Sequence, residues 1–285
     1  MERSQRPPPR RSRMTYSTLM VHLDGARPNA AVLDATATLA KQYDARVIGI
    51  AACEPARIAA SDGYTDGAFA VLEHDIVTEQ LAQAKVEFHA HAALRPHVLE
   101  WRSIPTLENV AHIIATHARC ADLVITGLGP TPGALSTHAD AGDLILRAGR
   151  PVLVVPDANV TADFRHVLIA WTDTRECRRA VTDALPMLHR ADRVTLVEAS
   201  NDPHGAREGI KDIVGWLQRH GIGADHILSR IRGSGAQTLA VIATEVEADI
   251  IVAGAYGHSR VREWIFGGVT RDLLLHERRC TLLAH

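Results

Sequence analysis

The sequence has no paired cysteines, no strong net charge and no long hydrophobic run. Its formal net charge of -2 gives no general attraction to nucleic acid or anionic membranes, so any anionic ligand must be held by local geometry. The four cysteines are scattered without a C-x-x-C pair, and three of them lie in or beside apolar runs. Reduced thiols pack in such runs as small hydrophobes. We therefore expect a cytoplasmic protein with neither a nucleic-acid nor a membrane partner.

Apolar stretches in this chain are short. None approaches the roughly 18 residues that a membrane-spanning helix needs. The chain opens with MERSQRPPPRRSR, a basic segment that is not followed by the apolar core of a signal peptide. With three consecutive prolines and almost nothing to bury, residues 1–14 are predicted to form a disordered basic arm.

Catalytic and metal-binding motifs are also missing. The chain has no G-x-S-x-G elbow, no defensible Ser/His/Asp order and no paired catalytic carboxylates. Its 16 histidines do not form a ligand set, because pairs such as His89 and His91 do not share a helix face. We therefore predict a protein that is not an enzyme and has no metal site of its own.

An internal repeat dominates what is present. Residues 17–24, STLMVHLD, are matched by residues 165–173, RHVLIAWTD. Residues 121–127, ADLVITG, are matched by residues 248–254, ADIIVAG. Helical segments separate these short apolar strands, and a further strand closes each half. The repeat divides the chain into a first domain at residues 15–156, a linker at 157–164 and a second domain at 165–285.

Nearly all-apolar strands that alternate with helices are typical of mostly parallel sheets covered on both faces. We therefore predict an α/β fold of two tandem five-stranded, mostly parallel sheets flanked by helices and packed as a pseudo-dimer. The closing strands, at residues 152–155 and 281–284, are candidates for edge pairing between domains or subunits.

A glycine-rich loop follows the strand at residues 249–253 and reads GAYGHSRVREWIFGGVTRDLL. Glycines allow backbone N–H groups to approach an anion closely, and the N-terminus of the helical pattern at 269–276 adds further donors. Ser259 and Thr270 could add hydroxyl donors. In α/β sheets, ligands bind beyond the carboxyl ends of strands, which is where this loop begins.

The G-x2-G-x9-G spacing of Gly254, Gly257 and Gly267, after an Asp-led apolar strand, resembles the universal stress protein family. The resemblance covers essentially the whole chain after Met14 as a tandem pair. It implies an adenine nucleotide alpha hydrolase-like, Rossmann-like fold. It also implies a sensor or regulator of the stress response that binds ATP, or AMP or ADP, with Mg²⁺ as an accompanying ion. Slow ATP hydrolysis ranks last, because no general base is evident.

The resemblance assigns nucleotide contacts mainly to the second domain. Gly268 stands where Ser or Thr is usual, and Thr172 takes the place of an Asp, with Asp173 beside it. The residues assigned are Ala170, Trp171, Thr172, Asp173, Ala199, Gly254, Gly257, His258, Ser259, Gly267, Gly268, Val269 and Thr270.

The first domain keeps Asp24 and Gly25 but has Pro130 where the second loop glycine should be. Proline removes an N–H donor and fixes φ, so this loop is a poor phosphate cradle. The fold pattern persists there without the glycines, which indicates that the glycines of the second loop serve a ligand and not the fold. Two alternatives stay open: an interaction scaffold with two degenerate loops, and a homodimer of pseudo-dimers.

Overall fold

The computed structural model describes residues 15–53, 67–106, 108–128, 137–157, 161–200, 203–232, 234–257 and 278–285. For residues 67–74 and 203–206 it describes the backbone. The predicted basic arm and the helical pattern at 269–276 lie outside these ranges. No helix within the described ranges is both long enough and apolar enough to cross a membrane.

Both halves of the chain alternate strands with helices. The strands of the first half are β1 (Thr18–His22), β2 (Arg46–Cys53), β3 (Leu99–Pro105), β4 (Leu123–Gly127) and β5 (Val152–Val155). Its α-helices are α1 (Ala30–Tyr43), α2 (Gly67–Ala90), α3 (Val110–His117) and α4 (Ala141–Ala148). The strands of the second half are β6 (His166–Ala170), β7 (Arg193–Ala199), β8 (Asp225–Ser229), β9 (Ile250–Gly254) and β10 (Cys280–Ala284). Its described α-helices are α5 (Arg175–Asp183), α6 (Leu185–Leu188), α7 (Pro203–Arg219) and α8 (Gly235–Glu245).

The two halves share one ten-stranded sheet in the order β3-β2-β1-β4-β5-β10-β9-β6-β7-β8. Strand pairs within each half are parallel, and β10 pairs antiparallel with β5, with Leu282 opposite Leu153. The predicted fold class is confirmed. The closing strands pair domain to domain, so the pseudo-dimer forms through a continuous backbone ladder.

The side chains of each strand alternate between two hydrophobic cores. On β6 and just after it, Val167, Ile169 and Trp171 belong to the core under α1, α2, α5 and α7. Leu168 and Ala170 belong to the core under α3, α4 and α8. This alternation decides which residues at the strand ends can share a site.

The first helix of each half is placed differently. Residues 23–29 connect β1 to α1, which packs over β1 and β4. Only residues 171–174 connect β6 to α5, which packs over β9 and β10. Because this connection is shorter, α5 lies one strand further from α7 than α1 lies from α2.

Several boundaries differ from the sequence prediction. The sequence predicts one helix over 176–189, but α5 ends before Pro186, whose ring and missing N–H do not suit a helix interior. The sequence also predicts a helix over 106–117, but α3 begins at Val110, because the Asn109 side chain caps it by accepting from the Ala111 N–H at 2.8 Å. Helix α4 was not predicted.

Contacts between the halves extend beyond the ladder. The Tyr16 hydroxyl donates to the Asp183 carbonyl at 2.7 Å, and the Arg190 guanidinium lies 5.6 Å from the centre of the Tyr43 ring. Phe164, at the end of the predicted linker, is buried in the core. The linker end is therefore part of the packing between the halves.

The ladder between the halves can be tested at Leu282, which is fully buried in β10. We expect Leu282→Ala to lower the free energy of unfolding by about 2–5 kcal/mol, because it leaves a cavity at the junction of both halves. The control Leu146→Ala removes a leucine that is 43% exposed on α4, and should change stability by less than about 0.5 kcal/mol. Urea unfolding measures both, and equal losses would contradict the assignment of Leu282 to the core.

Candidate functional site

The strand order reverses at β6, which lies between β9 and β7. In open α/β sheets, ligands bind outside the carboxyl ends of the strands at such a reversal. Ala170, at the end of β6, is paired in register with Ala253 on β9. The turns at 171–174 and 255–257 therefore start side by side, at the position the sequence predicts for the nucleotide.

Gly254 and Gly257 pack directly against the first turn of α5. A Cβ atom on Gly254 would lie 2.4 Å from the Cys177 backbone nitrogen. A Cβ atom on Gly257 would lie 2.9 Å from both the Glu176 Oε2 and the Thr174 Oγ1. The Gly254 contact is with backbone atoms, so this position requires glycine for packing within the protein. At Gly257 the contact is with the ends of two side chains, which would have to shift.

This contact corrects one interpretation of the sequence. The comparison of the two halves indicated that the fold does not require the loop glycines, and for Gly254 that is wrong. The short 171–174 connection brings α5 onto β9, whereas in the first half a Cβ on Gly127 would meet only Val32 Cγ2, at 3.3 Å. The two halves therefore need glycine to different degrees, because their first helices lie over different strands.

The other predicted site residues fall into four groups. Ala170 is buried under α8, and Ala199 ends β7. Trp171 points to the opposite face of the sheet, between α5 and α7. Thr172 and Asp173 are exposed, and Asp173 pairs with Arg178 at 3.4 Å. His258, Ser259, Gly267, Gly268, Val269 and Thr270 lie outside the described residues.

Carboxylates stand close to this strand edge. Burial raises the pKa of Glu176, but a backbone N–H and Arg175, whose Nε donates at 3.0 Å, lower it by more than burial raises it. The pKa is therefore below its ordinary value, and the side chain is ionised. Burial and the charge of Asp173 raise the pKa of Glu198. No group of three His, Cys, Asp or Glu side chains within the described ranges is placed to hold a metal ion. A phosphate here would therefore face negative charge unless a cation accompanied it.

The first half provides an internal comparison. Leu23 and Trp171 occupy equivalent positions, because their N–H groups donate to the Ile50 and Val197 carbonyls at 2.9 and 2.8 Å. His22 is thus the counterpart of Ala170, and Asp24 the counterpart of Thr172. By the same strand alignment, Thr126 on β4 is the counterpart of Ala253 on β9.

Polar side chains fill the equivalent position in the first half. The buried His22 ring lies 3.1 Å from the Thr126 hydroxyl through Nδ1 and 3.1 Å from the Thr137 carbonyl through Nε2. The Thr137 hydroxyl donates to Asp24, and His138 Nδ1 lies 3.7 Å from the same carboxylate. The cavity left among the described residues is about 20 Å³, which is too small for a nucleotide.

Burial controls the protonation of this cluster. It lowers the pKa of His22 from 6.5 to about 4, although Asp24 opposes the change. Burial also lowers the pKa of His138. The sequence prediction missed this cluster, and the available signal was the pair of polar residues, His22 and Thr126, at positions where the second half has alanine.

Residues 163–279 match the model of the universal stress protein family. In fold, the chain resembles a universal stress protein from Archaeoglobus fulgidus DSM 4304, with a TM-score of 0.67 and 13% identity over 94% of this chain and 95% of that chain. It also resembles a functionally unknown protein from Pseudomonas aeruginosa PAO1, with a TM-score of 0.60 and 13% identity over 94% of this chain and 92% of that one. No curated protein matches the chain in sequence. The resemblance drawn from the glycine spacing is confirmed.

The packing role of Gly254 can be separated from any ligand role by measuring stability without nucleotide. We expect Gly254→Ala to lower the free energy of unfolding by about 1–3 kcal/mol or more, because the new Cβ forces α5 away from β9. The control Gly127→Ala meets only a valine methyl at 3.3 Å and should cost less than about 1 kcal/mol. A Gly254→Ala protein as stable as wild type would refute the contact.

The buried His22 should make stability depend on pH. Above pH 6.5 the ring is neutral in the folded and unfolded chains, but between pH 6.5 and about 4 only the unfolded chain takes up the proton. The free energy of unfolding should therefore decrease as the pH is lowered from 6.5 to about 4, by up to about 3 kcal/mol from this residue. In His22→Gln the fall should be smaller by that amount, whereas the exposed control His226→Gln should follow wild type. Parallel curves for His22→Gln and wild type, from urea unfolding at each pH, would contradict the assignment.

Proposed function

Because residues 163–279 match the universal stress protein family, we propose that this protein binds an adenine nucleotide in its second half and acts as a regulator or sensor in a stress response. The nucleotide would lie at the carboxyl ends of β6 and β9, where the strand order reverses. ATP is the first candidate, with AMP and ADP as related ligands. Binding without rapid turnover is part of the proposal.

The main observation behind this proposal is that the second half has Ala170 and Ala253 at the positions where the first half has His22 and Thr126. In the first half the imidazole and the hydroxyl fill the strand ends and leave a cavity of about 20 Å³. In the second half the same two positions carry methyl groups, paired in register on neighbouring strands. The second half therefore lacks the side chains that close this position in the first.

The carboxylates at the strand edge refine the proposal. Asp173 raises the pKa of Glu198, so the two groups lie close enough to repel each other, and a phosphate would add to that repulsion. A divalent cation carried on the nucleotide phosphates would offset it. We therefore propose that the nucleotide binds as its Mg²⁺ complex.

The alternative is an interaction scaffold that binds no nucleotide. Two observations favour it: Gly254 is explained by the packing of α5, and the ionised Glu176 stands beside Gly257. On this alternative the fold of the family is kept and the ligand is lost.

Calorimetric titration with ATP, with and without Mg²⁺, tests the proposal on wild type and on the double variant Ala170→His, Ala253→Thr. This variant gives the second half the residues that fill the first. We expect wild type to bind Mg²⁺-ATP at one site, more weakly without Mg²⁺, and the variant to lose at least about tenfold in affinity, equivalent to 1.4 kcal/mol. The control Val241→His, at a position 56% exposed on α8, should bind as wild type does.

Two outcomes would contradict the proposal. Equal affinity in wild type and in the double variant would place the nucleotide elsewhere. Wild type that shows no binding heat and no rise in melting temperature with millimolar Mg²⁺-ATP would favour the scaffold.

A further inference from the structure

A groove runs between α5 and α7 on the face of the sheet opposite Ala170 and Ala253, and we call it the α5–α7 groove. Its volume of about 660 Å³ lies within the range of small-molecule sites. Its lining includes Trp171 after β6, Arg178 on α5, and Gly209, Lys211, Trp216 and Arg219 on α7.

The groove exists because of two features of the chain. The short connection after β6 places α5 over β9 and β10, while α7 packs over β7 and β8. In the middle of α7 stand Gly209 and Gly215, which are unfavourable in a helix. A Cβ atom on Gly209 would meet nothing within 4 Å. The helix therefore lacks side-chain volume where it borders the groove.

Trp171 places an indole ring on the wall of this groove. Its side chain is 4% exposed, and its indole Nε1 has no hydrogen-bond partner within the described ranges. The Nε1 atom is itself buried, so the indole ring and not its N–H lines the groove. The equivalent residue in the first half is Leu23, which packs fully buried and has no polar atom. Packing alone is thus achieved without an indole at this position.

The charged residues along the groove indicate the sign of its ligand. Arg178 is paired with Asp173 at 3.4 Å, whereas Lys211 and Arg219 form no ion pair within the described ranges. Asp212, also on the wall, offsets one of these charges. The groove is lined by two arginines and one lysine but only two aspartates, so it carries an excess of positive charge beside two indole rings.

We propose that the α5–α7 groove binds a small aromatic anion, a ligand with a planar ring and one negative group. The rings of Trp171 and Trp216 provide apolar walls, and Lys211 and Arg219 attract the negative group. This site is separate from the proposed nucleotide position, because Trp171 and Ala170 point to opposite faces of the sheet. The protein would therefore respond to a second chemical class of ligand.

A matched pair of probes tests the ligand class. Anilinonaphthalene sulfonate carries a naphthalene ring and a negative charge, and N-phenylnaphthylamine has the same ring system without the charge. Fluorescence titration should show one site for the sulfonate and an affinity about tenfold or more weaker for the neutral probe, because charged hydrogen bonds contribute most. Arg219→Ala should reduce this preference.

A filling variant tests the location. Gly209→Leu has room for its side chain and improves helix propensity, so the fold should keep or gain melting temperature while sulfonate binding is lost. The control Gln218→Leu adds the same side chain to an exposed position of α7 outside the groove and should bind as wild type does. Equal sulfonate binding in Gly209→Leu and wild type, or equal affinity for both probes, would overturn the proposal. Mg²⁺-ATP titration of Gly209→Leu keeps the two sites distinct, because the proposed nucleotide affinity should be unchanged there.

Discussion

The contact between the first turn of α5 and the end of β9 determines how the second half of this protein differs from the first. Gly254 and Gly257 allow that contact because they have no side chains. The connection between β6 and α5 is only the four residues 171–174, which keeps the first turn of α5 close to the strand ends. Once α5 lies over β9 and β10, a groove opens beside α7, and Trp171 lines it. One short connection therefore accounts for the glycine turn and for the groove.

The two halves use the same strand reversal in opposite ways. In the first, His22, Thr126 and Asp24 belong to a buried polar cluster that leaves little volume. In the second, alanines stand at the first two of these positions and Thr172 at the third. Because the halves share one sheet through β5 and β10, the filled half is well placed to support the other rigidly. This division of roles fits a binding protein in which one site is kept and its duplicate has become structural.

The strands and their mostly parallel arrangement could be predicted from the sequence, because each half repeats the same short apolar runs in the same order. The position of α5 could not, since it depends on how a four-residue connection crosses the sheet and not on any periodicity. The glycine spacing correctly indicated a close backbone approach, but for Gly254 and Gly257 the approaching group is α5. The cluster around His22 brings together residues more than 100 positions apart, and sequence spacing alone does not show such contacts. Trp171 was predicted as a nucleotide contact. The face of the sheet to which its side chain points follows from the alternation of side chains along β6, which the structure shows.

The central claim is that the second half holds an adenine nucleotide. Mass spectrometry of the small molecules released on denaturing natively purified protein tests it most directly, with the Ala170→His, Ala253→Thr variant purified in parallel. The account predicts an adenine nucleotide in near-stoichiometric amount from wild type and its loss from the variant. Wild-type protein that releases no adenine nucleotide, or a variant that releases as much as wild type, would contradict the account.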